Sequence, residues 1–376
     1  MQSFLSRRIA LLVLVALLSF LVSLVLPQFA SALGDEVSVP QLTTFSSPIR
    51  SQGNLTPRAW LPVILKNFTA PPATTVSRYV NINSLDWQTF RNLGCNRATA
   101  APPGKNLVTI LDFGYPADIG GGQYGVYLLS DIYTFRPMTQ ITNAVQGFMS
   151  GFYSCLPSGS GTHLTVAAGV NNSSSGVTRG HGAAWAQMVN YLNSWIKGPP
   201  GPDWSDTLTA WGAIDAEPAY NPASVTRAWA DGYASTYSWT LQSVYLNFGA
   251  CDSCPYFGCP SCTPSQYSWS LDDIWYVSWG IPPAYSLPEI YTFSGSTADQ
   301  WYRMSLYGYT TYNSPIIFKG SLTQWNACQE VDGCIFQTDR TDNSPEQGYS
   351  QLYYYTNVDT RTAQPLGWSS DMSWQK

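Results

Sequence analysis

The sequence predicts an α/β chain, a (β/α)8-type TIM barrel of irregular form carrying disulfide-stapled loop insertions. Two observations lead there. Beyond Val76, short β-rich runs alternate with amphipathic helical patterns, the rhythm of parallel strands joined by crossover helices. Seven strand-like runs fit into roughly 290 residues, the span of a single barrel. An open doubly wound sheet follows the same rhythm and stands as the second architecture.

Leu107 to Phe113 (LVTILDF) is a buried-type strand with Asp112 near its end. A helix follows from Met138 to Phe152, with Ile141, Val145, Phe148 and Phe152 at helical spacing. Leu164 to Val170 forms the next strand and closes on Asn171 and Asn172. The helix from Ala183 to Ile196 presents Trp185, Met188, Val189 and Leu192 on one face and stops at the breaker from Gly198 to Pro202. Leu208 to Glu217 is a third strand, and Ser224 to Tyr237 a helix capped by Ser224. Further strands are expected at Gln242 to Phe248, Ile274 to Trp279, Glu289 to Phe293 and Ile316 to Lys319. Helices are expected around Thr297 to Tyr307 and Pro345 to Tyr355.

Ahead of this domain, Arg7 and Arg8 precede an apolar run from Ile9 to Leu26, then Pro27 and the small-residue step Ala30-Ser31-Ala32. Residues 1–32 read as an export signal cleaved after Ala32, so the chain is expected to be secreted or at the cell surface. Membrane contact is expected only through this signal if it stays uncleaved. Residues 33–77, rich in Ser, Thr and Pro, read as a linker, and 78–376 as the barrel domain.

Composition excludes several functions. With 44% hydrophobic and 14% aromatic residues the 376-residue chain can bury a large core, so disorder is excluded. Only 18 Lys and Arg against a net charge of −5 leave no material for a phosphate-binding face, so no nucleic-acid partner is expected. The surplus of 15 Trp and 24 Tyr suits a protein that lays flat rings against ligands, or equally one that packs them in its core. His163 and His181 are the only histidines and match no metal spacing, and no G-x-S-x-G elbow accompanies them. Neither cofactor nor metal is expected. Gly120-Gly121-Gly122 lacks a P-loop lysine and reads as a rim loop or lid.

Eight cysteines in an exported chain imply disulfides. Cys251, Cys254, Cys259 and Cys262 form C-x2-C-x4-C-x2-C, read as local disulfide staples, with a tetrahedral metal site as the alternative. Cys328 and Cys334 would close a short loop, leaving Cys95 and Cys155 as a long-range pair.

In a parallel barrel the C-terminal strand ends converge on one rim. Asp112, Asn171, Asn172, Asp215, Glu217, Asn247, Trp279, Tyr291 and, more weakly, Lys319 are expected there, while Asp272, Asp273 and Glu289 fall at strand beginnings, on the opposite end. The strongest signal is Asp215-Ala216-Glu217. Residues two apart on a strand share a face at about 6 to 7 Å, and two such carboxyls resist double ionisation, leaving one protonated. Glu217 is then the proposed general acid, Asp215 its tuning partner, and Asp112 a base, nucleophile or electrostatic stabiliser. Asn171, Asn172 and Asn247 could bind sugar hydroxyls, and Trp279, Trp325 and Tyr291 could stack on pyranose rings.

A strand-borne D-x-E at a barrel mouth, with a further Asp ending the first strand, resembles the muramidase (lysozyme-type) barrel glycoside hydrolases, and more distantly the chitinase-like barrels. The longer D-x-x-D-x-D-x-E of chitinases is absent, since Trp211 and Ala213 stand at the earlier positions. The resemblance implies retaining or substrate-assisted cleavage of a β-linked amino-sugar polymer, with Glu217 as proton donor, Asp215 as its partner and Asp112 as the Asp of the first strand. The expected ligand is a polysaccharide or peptidoglycan-like polymer. The competing expectation is a non-catalytic carbohydrate-binding or cell-surface protein on the same fold.

Overall fold

The architecture is that of a computed structural model, which describes residues 70–81, 85–198, 203–331, 333–334 and 339–374. The export signal and most of the linker lie outside the described residues. Eight parallel strands form one sheet in the order β10-β11-β1-β2-β6-β7-β8-β9. These are β1 (Thr74–Tyr79), β2 (Asn106–Asp112), β6 (His163–Asn171), β7 (Leu208–Asp215), β8 (Tyr245–Asn247), β9 (Ala284–Ser286), β10 (Gly320–Thr323) and β11 (Trp368–Trp374). Parallel bridges Ser286–Phe318 and Glu289–Leu322 link the ends of the list, so the sheet is a nearly closed barrel rather than an open one. After β2 the chain inserts a three-stranded antiparallel sheet, β3 (Tyr115–Asp118), β4 (Tyr124–Leu128) and β5 (Asp131–Pro137). Gly120, Gly121 and Gly122, all at positive φ, make the turn between β3 and β4.

Long helices connect the strands: α1 (Trp87–Thr99), α2 (Met138–Cys155), α3 (Arg179–Ile196), α4 (Ala223–Ala234), α6 (Ser296–Tyr312) and α8 (Pro345–Asn357). Short α5 (Leu271–Trp275) and α7 (Trp325–Val331) complete the α-helices among the described residues. Alternation along the strands divides the core in two. Val108, Ile110, Ala167, Ala213, Leu246 and Met372 meet in one cluster inside the barrel, whereas the larger cluster, with Phe148, Trp185 and Trp229, fills the layer between sheet and helices. Below the inner cluster Trp211 stacks on Tyr285 at 5.8 Å and meets Trp368 edge-on at 5.4 Å. Lys319 immediately precedes β10 and sets its Nζ 3.8 Å from the Tyr285 ring, so it belongs to the N-terminal end of the strands and not to the expected rim.

Several local expectations change. β1 begins at Thr74, within the stretch read as linker, and its polar TTVSRY carries none of the apolar run that marks a buried strand. β11, a stretch where the sequence predicts no element, is disguised likewise by WSSDMSW. The apolar IWYVSW run is helical: α5 opens with a capping box in which Ser270 and Asp273 exchange hydrogen bonds, and a single π turn, Tyr276–Gly280, follows. A short apolar run does not by itself separate strand from helix, and the capping box decides it. Helix α4 starts after Pro222 without a side-chain cap, so Ser224 does not serve as one. His181 sits in the first turn of α3, whose N-cap Thr178 accepts from the His181 N–H.

All eight cysteines are paired: Cys95–Cys155, Cys251–Cys254, Cys259–Cys262 and Cys328–Cys334. The first joins α1 to the end of α2, where a Cβ on Gly151 would stand 1.8 Å from the Arg91 carbonyl oxygen. Glycine thus lets two helix backbones touch, and the disulfide ties that crossing across a 60-residue loop. Loop closure of that length is worth about 4 kcal/mol. The double variant Cys95→Ala, Cys155→Ala should lower the unfolding free energy by that amount with a steeper denaturant slope, since its unfolded chain is less compact, whereas unlinking Cys328 and Cys334, six residues apart, should lower it less. Urea titration of the two variants measures this.

Candidate active site

The C-terminal strand ends enclose a cavity of about 590 Å³. Asp112, Asn171, Asp215, Glu217, Glu289 and Tyr291 line it, with Tyr79, Tyr115, Tyr220 and Trp374 among the surrounding rings. A larger groove of about 800 Å³ opens between the β3–β5 insertion and helices α2 and α3, but among the described residues no Asp, Glu, His, Lys or Arg lines it. Ionisable chemistry therefore concentrates in the smaller cavity.

Each acid arrives there by its place on a strand. Asp112 is the last residue of β2, and its Oδ1 accepts from the Gly114 N–H at 2.9 Å. Asp215 ends β7 and Glu217 follows two residues on, sharing its face as the D-x-E spacing predicts. Asp215, Glu217 and Glu289 each bring a carboxylate oxygen within 4.8 Å of the others. Glu289 corrects the expectation that it lies at the opposite end. The strand is Ala284–Ser286, five residues earlier than expected, so Glu289 follows its C-terminal end instead of opening a strand. The Leu287-Pro288 step was the available signal, since proline cannot continue a ladder.

The asparagines divide. Asn171 lines the cavity and turns its Oδ1 back to the N–H and hydroxyl of Ser173. Asn172 and Asn247, expected as sugar ligands, are fully buried and engaged elsewhere. The side chain of Asn172 pairs with the backbone of Glu217, Oδ1 accepting its N–H and Nδ2 donating to its carbonyl, both at 3.1 Å, while Nδ2 also donates to Thr226 at 2.9 Å. Asn247 Oδ1 accepts from the N–H groups of Ala216 and Gly249, and its Nδ2 donates to Ser278 at 2.8 Å. Two buried amides from neighbouring strands thereby grip the Ala216-Glu217 peptide, which is positioning and not ligand contact. Gly249 completes the grip, since a Cβ there would stand 2.6 Å from the Ala216 nitrogen.

The aromatic expectations divide as well. Tyr291 lines the cavity, its hydroxyl 3.3 Å from that of Tyr79, whose ring packs 4.6 Å from Trp374. Trp279 lies in the π turn, donates its indole N–H to Ser314 at 2.9 Å and packs on Tyr285, outside the cavity. Trp325 opens α7 and is likewise not among the lining residues. Tyr79 and Trp374 end β1 and β11, the two strands that polar sequence concealed. Tyr220 donates to Glu217 from the loop after β7.

Asp272 and Asp273 sit in the first turn of α5 and pair with Arg227 at 3.0 and 2.7 Å, a structural role as expected. Both histidines are structural too. His181 is buried, bonded to the Gly125 carbonyl through Nε2 and to the Trp229 indole N–H through Nδ1, and burial lowers its pKa to about 4. His163 pairs with Thr209 at 3.0 Å.

Burial dominates the electrostatics. It pushes Asp112 up to about 7, against the single opposing Gly114 N–H. Glu217 is pushed up to about 7 by burial and by the nearby Asp252 charge, opposed by hydrogen bonds from Tyr220 and the Ala250 N–H. Asp215 and Glu289 lie well above the usual carboxylate range, through burial first and then the repulsion of Glu217. Three crowded carboxyls ionise in sequence rather than together, so protonated and ionised forms coexist near neutral pH. The same oxygens are hard donors of the kind a divalent cation takes. No family model matches the chain.

The raised acid has a stability consequence. The folded protein holds the Asp112 proton up to about 7, whereas the unfolded chain releases it near 3.8. Folded protein therefore binds more protons in that window, and stability falls as pH rises through it, by up to about 4 kcal/mol for this group. The penalty is absent below the lower value and complete above the higher. Asp112→Asn, which keeps the acceptor for Gly114, should flatten the decline, so that its melting temperature exceeds that of the parent at pH about 8 by more than it does at pH about 5. Calorimetry at the two pH values checks the sign.

Proposed function

We propose that the protein is an exported glycoside hydrolase on a (β/α)8 barrel, cleaving a cell-envelope or environmental polysaccharide with Glu217 as general acid. The observation that carries this reading is a proton-holding Glu217 in a ring-walled cavity, its carboxyl oxygen within 4.8 Å of those of Asp215 and Glu289. The muramidase-like D-x-E supports the same choice of acid. The four disulfides fit an extracellular setting, and no helix among the described residues is long and apolar enough to cross a membrane.

The chemistry follows from the spacing. Inverting hydrolases hold their carboxyls about 6.5 to 9.5 Å apart to admit water, and retaining ones about 5 to 5.5 Å. The close set here favours retention, with Glu289 in place of the more remote Asp112 as the facing carboxylate. Glu217 gives its proton to the glycosidic oxygen as the bond from that oxygen to the anomeric carbon breaks. Glu289, as the member of the crowded set that has given up its proton, bonds an oxygen to that carbon from the opposite face. Water, losing a proton to Glu217, then displaces Glu289 and restores both groups. Asp215 and Asp112 stabilise the positive charge that develops on the sugar ring. Asn172 and Asn247 hold the Glu217 backbone so that its carboxyl needs no reorganisation.

Glu217→Gln should lower kcat on the hydrolysed member of a peptidoglycan, chitin and glucan panel by about 10²- to 10⁴-fold. Activity of the parent should decline above pH about 7 as Glu217 loses its proton. Proton NMR of the fresh product should show the substrate's anomeric configuration. Equal turnover by variant and parent removes the reading, and sugar binding without turnover by either assigns the cavity to a lectin-like role.

A further inference from the structure

The cavity holds more carboxyl groups, and so more potential negative charge, than bond cleavage itself requires. Two carboxyls suffice for the chemistry, yet Asp112, Asp215, Glu217 and Glu289 all line it, and Asp252 acts on three of them from the cysteine loop. Among the described residues lining the cavity there is no Lys, Arg or His to answer that charge. The surplus cannot be dismissed as a solvated rim either. Asp215 is 93% buried by its 7% exposure, its Oδ1 is sealed from solvent, and that atom has no hydrogen-bond partner. An unpartnered buried carboxylate oxygen costs stability unless a ligand satisfies it.

Resting on the hydrolase reading for the glycan itself, we propose that the substrate is a cationic, de-N-acetylated hexosamine polymer whose ammonium group is received by Asp215, Glu217 and Glu289. An ammonium offers three N–H donors and no acceptor, which suits three carboxylate oxygens within 4.8 Å of one another. It supplies the positive charge that the walls lack, and it permits more than one carboxyl of the set to ionise. Tyr79, Tyr291 and Trp374 provide apolar faces beside it for the sugar ring. The acidic chain, with its net charge of −5, also attracts such a polymer at long range. A divalent cation is the competing occupant. Its double charge would ionise the whole set, Glu217 included, whereas the single ammonium charge leaves one proton on the three carboxyls for Glu217, so the observations favour the ammonium.

The test compares hexamers of glucosamine and of galactosamine with their N-acetylated counterparts and with a neutral glucose hexamer. Binding is measured by calorimetry to the parent with the sulfur-linked form of each hexamer, which keeps all three carboxyls in place and resists cleavage, and cleavage of the oxygen-linked hexamers is followed by mass spectrometry. Charge-assisted recognition predicts that one free-amine hexamer binds at least about tenfold more tightly than its N-acetylated form. Adding Asp215→Asn should collapse that ratio, with circular dichroism confirming the fold. Equal affinity for acetylated or neutral chains overturns the inference while leaving the hydrolase reading to the cleavage assay. Tight binding of the free amine with no cleavage by the parent sustains the inference and defeats the hydrolase reading. Saturable binding of Mg2+ or Ca2+ alone to the parent, lost in Asp215→Asn, assigns the carboxylates to a metal and overturns the proposal.

Discussion

Three buried carboxyl groups, Asp112, Asp215 and Glu289, and the half-buried Glu217 at one end of a barrel, without a basic residue among the cavity's described walls, are the constraint on which the rest turns. Such an arrangement opposes folding at any pH where the groups ionise, because desolvation and mutual repulsion both penalise the charged forms. The opposing stability comes from elsewhere: an apolar barrel interior, a larger layer of aromatic packing between sheet and helices, and disulfides that limit the unfolded chain. A site of this kind keeps protons at neutral pH, which is the property acid catalysis draws on.

The grip on the acids is as specific as the acids themselves. Asn172 closes two hydrogen bonds on the Glu217 peptide unit, and Asn247 holds the N–H of Ala216 beside it. Each asparagine comes from a strand adjacent to β7, so the position of Glu217 is set by sheet register and not by a free loop. The cysteine-rich segment after β8 contributes from the other side. Its Ala250 N–H donates to Glu217, and Asp252 accepts from the Ala219 N–H while repelling the Glu217 charge. The Cys251–Cys254 disulfide closes the turn that carries Asp252, while the cysteines that line the cavity itself are Cys328 and Cys334.

The legible parts were those written in local pattern. Asp112, Asp215 and Glu217 were found because strand alternation and strand-end position are visible in LVTILDF and LTAWGAIDAE. Glu289 was missed through an offset of a few residues in a three-residue strand, too short to show a period. Tyr79 and Trp374 were missed because β1 and β11 put Ser and Thr in the interior, where Thr75, Ser77 and Ser370 satisfy one another by hydrogen bonds. Asn172 and Asn247 were placed correctly in the chain but misjudged in role. An asparagine at a strand end can face a ligand or turn back on the backbone, and only the neighbouring strand decides which.

What the sequence by itself determined is the α/β rhythm, an even cysteine count that calls for disulfides, and an Asp-x-Glu step at the end of a strand. These depend on near neighbours or on simple counting. Only the tertiary structure decided that the sheet nearly closes, that Glu289 joins Asp215 and Glu217, and that two asparagines serve the acid's backbone. The reason is physical: closure and convergence depend on which strands become neighbours, and that choice is made by packing across the whole barrel, between residues far apart in the chain.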